Sequence, residues 1–93
     1  MSTYLITYDL NSPGQGYGDL FHAIKSLANG WWHHLDSTWL INSNSSAADI
    51  RDRLLPFLDN NDELLVIAVG RDWATYGLPQ GANQWLQTQR LLA

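Results

Sequence analysis

The sequence predicts an α+β domain with a ferredoxin-like βαββαβ fold, a four-stranded antiparallel sheet and an added C-terminal helix. Three observations predict it. Ninety-three residues are enough for one hydrophobic core and leave no room for a second, so residues 1–93 read as a single domain. The apolar pattern alternates between a two-residue and a 3.6-residue period in the order β-α-β-β-α-β, with a final helical stretch. Right-handed crossovers then place both connecting helices on one face of the sheet.

Each element has its own local signal. Thr3 to Asp9 is rich in β-branched and aromatic residues and runs into the turn-forming Asn11-Ser12-Pro13-Gly14, which makes it the first strand. A polar, glycine-rich loop follows, to about Gly18. Asp19 to Asn29 reads as a helix, with Leu20, Ile24, Leu27 and Ala28 on one face and Asn29-Gly30 as the stop. Trp31 to Leu35 and Thr38 to Asn42 are two strands joined through Asp36-Ser37 as a short hairpin. Ser46 followed by Asp49 is a variant capping box opening a second helix, whose apolar stripe is Ile50, Leu54, Phe57 and Leu58. Pro56, lacking an N–H, should kink or stop that helix early. Glu63 to Val69 is the most apolar strand, which argues for a central or doubly covered position. Gly70 to Gly77 is a loop, and after Pro79 a last helix spans about Gly81 to Leu92, with Ala82, Trp85, Leu86 and Gln89 along one side.

Composition narrows the function classes. There are no cysteines, so disulfides and thiolate metal sites are excluded. No apolar run approaches the roughly 20 residues of a membrane span, and no signal-like segment opens the chain. The chain therefore reads as soluble and cytoplasmic, with no membrane partner. Net charge is −4, with five Lys and Arg against nine Asp and Glu. Tight binding to a long nucleic acid needs clustered cations, and Lys25, Arg51, Arg53, Arg71 and Arg90 are scattered. With both helices on one sheet face, tryptophans on the other face need a cover, either the C-terminal helix or a second chain. A dimer or larger homo-oligomer is expected on that ground.

Tyr4-Leu5-Ile6-Thr7-Tyr8-Asp9-Leu10, Leu35 to Leu40 and Gly70-Arg71-Asp72-Trp73 carry a resemblance. Over nearly its full length the chain resembles the small bacterial and phage proteins labelled "SinR family". These are related to the CRISPR-associated ferredoxin-like integrase scaffold proteins, some of which are described as metal-dependent nucleases. The resemblance implies that Asp9 matches a strand-end metal ligand at a dimer interface, and that Thr38 falls near a hydroxyl residue of the third strand. After Asp9 the chain departs from those relatives. Asn11 to Gly16 stands where they have a basic segment, which weighs against cleavage and integration.

Each candidate chemistry has a plainer competitor. Asp9, paired with its dimer mate, could hold Mg2+ through carboxylate oxygens and activate a water; equally, it could cap a turn. His33 and His34 point to opposite faces of a strand and cannot chelate one ion together. Gly14, Gly16 and Gly18 lie where a phosphate-binding turn would sit, but without the dinucleotide spacing or a following Lys-Ser/Thr. Arg71, Trp73 and Tyr76 could grip a phosphate and stack a base, or Arg71 and Asp72 could pair with Trp73 under the last helix. Trp31, Trp32 and Trp39 read first as core or interface packing and second as ligand stacking, with Trp31 and Trp32 facing opposite ways, and Tyr8 and Trp39 are carried as ligand-binding candidates.

The favoured expectation is a non-enzymatic homo-oligomer that binds a small nucleotide or cyclic nucleotide through Arg71, Trp73, Tyr76, Tyr8, Asp9 and Trp39, with no cofactor. The distribution of the resembling proteins adds a role in phages or mobile elements, sequestering a host defence signal. The alternatives are a Mg2+-dependent nuclease using Asp9 and a protein-interaction module.

Overall fold

The computed structural model describes residues 1–11 and 17–88. The elements run β1 (Ser2–Asp9), α1 (Gly18–Leu27), β2 (Gly30–Leu35), β3 (Thr38–Ser43), α2 (Ala47–Leu54), a 3-10 turn (Leu55–Phe57), β4 (Glu63–Ala68) and α3 (Gln80–Thr88). The strands form one open antiparallel sheet in the order β2-β3-β1-β4. The described residues are of the α+β class, with a four-stranded sheet and three α-helices. No described helix is long and apolar enough to cross a membrane.

Strand parity divides the sheet into two faces. Tyr4, Ile6 and Tyr8 of β1 point to one side with Trp39 and Ile41 of β3, and meet Leu20 and Ile24 of α1 and Ile50 and Leu54 of α2. Six of these side chains are wholly excluded from solvent: Ile6, Leu20, Ile24, Ile41, Ile50 and Leu54. At about 1.5–3 kcal/mol for each fully buried aliphatic side chain, this layer drives folding. The opposite face carries Leu5, Thr7, Leu40, Trp32, Leu65 and Ile67. Here α3 supplies a partial cover: Trp32 is buried, and its indole N–H donates to the Ala82 carbonyl at 3.2 Å.

Most local expectations hold. Ser46 Oγ accepts from the Asp49 N–H at 3.1 Å and opens α2. Pro56 falls within the 3-10 turn, after α2 has ended at Leu54. The helix expected over Asp19 to Asn29 runs from Gly18 to Leu27. Of the last helix, Gln80–Thr88 lies in the described part, and Gln89 onward falls outside it.

The position expected for the fourth strand is corrected. Among the described residues β4 pairs with β1 alone and lies at an edge, while β1 and β3 are the inner strands. Leu65 and Ile67 are 53% and 50% exposed. An unbroken apolar run arises either when both faces are covered or when one apolar face is left uncovered, and β4 is the second case.

Candidate functional site

The uncovered side of the sheet is where the chain builds a cavity. After β4, Val69 continues the ladder by donating to Thr3 O at 2.9 Å. The chain then crosses the sheet and turns at Gly77, whose φ of 77° is the left-handed conformation that glycine adopts without a Cβ penalty. Asn83, on the first turns of α3, ties this crossing down. Its Oδ1 accepts from Thr75 Oγ1 at 2.6 Å, and its Nδ2 donates to Leu78 O at 3.4 Å. Between crossing segment and sheet lies a cavity of about 240 Å3. Leu5, Leu40 and Trp32 form its floor. Trp73, Leu78 and Leu86 form its other walls.

The lining residues are mainly apolar, with Thr38, Thr75 and Asp72 among them. Trp73, a lining residue, is 39% exposed. Arg71 is exposed and lies in sequence between two lining residues, Gly70 and Asp72. Tyr76 is 99% exposed, beside the cavity in sequence but outside its lining. A site with this surface can hold a small flat ring through burial and stacking.

Tyr8 and Trp39 are elsewhere. Both point to the helix-covered face, and Trp39 is 1% exposed. The Trp39 indole N–H donates to Tyr8 Oη at 3.0 Å, and Tyr8 Oη lies 3.4 Å from Asp36 O. His33 stacks on Trp39 with ring centroids 3.7 Å apart and contacts Asp36 O through Nε2 at 3.1 Å. Burial pushes the Tyr8 hydroxyl pKa above its ordinary value, with the Asp36 charge adding to the rise and the Trp39 bond opposing it. The structure thus does not bring Tyr8 and Trp39 together with Arg71, Trp73 and Tyr76: the sheet lies between the two groups. His34 packs near Trp32 while His33 packs on Trp39, so the two histidines diverge as the pleat requires. Trp31 is exposed with Lys25 Nζ 4.8 Å from its ring centre, and Trp32 is buried on the other face.

Asp9 ends β1, exposed, opposite Glu63 in the β1–β4 register. Both line a shallow surface depression of about 360 Å3 with Thr7 and Leu65. Among the described residues, no three His, Asp or Glu side chains stand together so as to hold a metal ion. Of the Gly14, Gly16 and Gly18 turn considered for phosphate, Gly14 and Gly16 lie outside the described residues and Gly18 opens α1.

Sequence reasoning missed Leu5, Leu35, Leu78, Leu86 and the tie at Asn83. The first four look like ordinary core residues in a linear sequence. Asn83 had a readable signal: an amide four residues after Pro79 can reach back to the loop that proline ends. No protein-family model matches the chain, and no solved structure matches it.

Proposed function

We propose that this protein is a self-associating, non-enzymatic binding domain of the ferredoxin-like type, which takes a small nucleotide-type ligand on the α3 side of its sheet. The strand order β2-β3-β1-β4, with every neighbour antiparallel, and the β-α-β-β-α-β sequence support the fold assignment. The observation that carries the function is the cavity walled by Trp32 and Trp73. Its volume of about 240 Å3 is below the roughly 300 Å3 at which pockets for whole drug-sized ligands begin. It therefore suits the base of a nucleotide, with sugar and phosphate outside toward Arg71. Linear or cyclic nucleotides both satisfy that requirement, and sequestration of such a signal needs no catalytic group.

Stacking on one aromatic contributes about 1–3 kcal/mol per base. Trp73→Ala should therefore weaken nucleotide binding by roughly 5- to 150-fold, read by isothermal titration with the folded variant. Arg71→Ala should weaken nucleotides but not the corresponding free base. Equal affinity of both variants and wild type for every ligand that binds would remove this site from consideration.

The side-by-side carboxylates of Asp9 and Glu63 favour a second reading, Mg2+-dependent phosphodiester cleavage, in which they would supply oxygen ligands. On that reading, Asp9→Asn abolishes Mg2+-dependent cleavage of a nucleic-acid substrate, whereas on the binding reading wild type and variant are equally inactive.

A further inference from the structure

We infer that the free edge of β4 is the surface on which two copies of this chain associate, through antiparallel β4–β4 pairing about a two-fold axis at Val66. The inference rests on the self-association proposed above and assigns its interface.

The backbone parity of β4 fixes which groups are on offer. Val69 N–H donates to Thr3 O, so Val69 and Thr3 form a hydrogen-bonded pair in the antiparallel ladder. By the two-residue period, the backbone groups of Glu63, Leu65 and Ile67 also point to β1. Those of Leu64, Val66 and Ala68 point the other way, along an edge that no described strand covers. Pairing about Val66 sets Val66 against itself and Leu64 against Ala68 of the second copy. All of the outward N–H and C=O groups then have partners.

Side chains fit the same register. Leu65 falls opposite Ile67 of the second copy on the open face, joining the two half-exposed aliphatic residues of each chain into one strip. Glu63, the only charged residue of the strand, falls opposite Val69 and not opposite its own mate. The register is self-complementary in hydrogen bonding and apolar contact, and it keeps the two Glu63 carboxylates apart.

The two edges of the sheet differ in a way that selects β4. Edge strands that stay unpaired are blunted by bulges, charges, proline or a covering element. β2 has a register shift between Trp32 and Leu35, and α3 packs across it. β4 has an uninterrupted register from Tyr4–Ala68 to Asp9–Glu63, with neither proline nor lysine in Glu63–Ala68. Such an edge left open is a template for indiscriminate aggregation, and a two-fold dimer closes it.

The chain has no cysteine, so single cysteines can be introduced cleanly. At the two-fold axis the Cα atoms of Val66 and its mate should lie about 5.5 Å apart, within the range a disulfide spans. Mild oxidation of Val66→Cys should give a covalent dimer. Ala68→Cys should not, because that register leaves the two Ala68 positions about four residues, roughly 13 Å, out of step. As a second measurement, Leu65→Lys/Ile67→Lys and Leu65→Glu/Ile67→Glu should each sediment as monomers and form a one-to-one dimer when mixed. If wild type dimerises but Val66→Cys stays uncrosslinked and the charged variants still dimerise, the β4 interface is wrong and self-association stands. If wild type sediments as a monomer at high concentration, both fall.

Discussion

Trp39 shows how a residue that looks like a ligand platform serves the core. Its ring is sandwiched among His33, Trp31 and Phe21, and its N–H is committed to Tyr8. Trp39→Phe removes that bond and part of the ring volume. It should cost about 1–3 kcal/mol in urea unfolding, with ligand affinity unchanged in the folded protein. Asp62 also has several ties. Burial pushes its carboxyl pKa up, but the N–H groups of Asn11 and Asp59 and the Tyr17 hydroxyl outweigh this and hold it below the usual carboxylate range. A carboxyl depressed by folding stabilises the native state above its unfolded pKa, and that contribution is lost as pH falls through the folded value. The melting temperature should thus fall as pH drops from 6 toward 3, and it should fall less in Asp62→Ala. An identical acid profile in both proteins would contradict the role given to this carboxylate.

At the scale of elements, local chemistry in the sequence was enough for strands, caps and stops. Runs such as Tyr4 to Tyr8 and Trp39 to Ile41 carry both β-propensity and alternation, and Ser46 carries a hydroxyl where a helix begins. Relative position was less legible. Apolarity in Leu64 to Ala68 cannot by itself distinguish a covered centre from an uncovered edge, because both produce the same run of letters. The candidate site was legible only in its loop, Arg71 to Tyr76. The walls come from β1, β2, β3 and α3, far apart in sequence, and their residues read as core until the crossing segment is placed over them. Tyr8 and Trp39 illustrate the converse: an aromatic type is compatible with stacking and with core packing, while the face it points to depends on strand parity in the assembled sheet. The cover supplied by α3 has a direct consequence. Leu86→Ala, in a buried position against the sheet, should loosen α3 and shift the emission of Trp32 to longer wavelength while the sheet's circular dichroism is retained.

At the scale of the whole molecule, the sheet separates two jobs. One face is closed by α1 and α2 and makes the chain fold. The other is half closed by α3 and leaves a cavity of about 240 Å3, and β4 lies at an edge of the sheet. Acidic overall charge and scattered cations fit a small ligand better than a long polyanion. Native mass spectrometry of the purified protein, alone and mixed with linear and cyclic nucleotides, tests this most directly. The account predicts a dimer that gains the intact mass of a nucleotide and loses that gain in Trp73→Ala. A protein that gains no mass from any nucleotide, while cleaving nucleic acid with Mg2+ in an Asp9-dependent way, would contradict it.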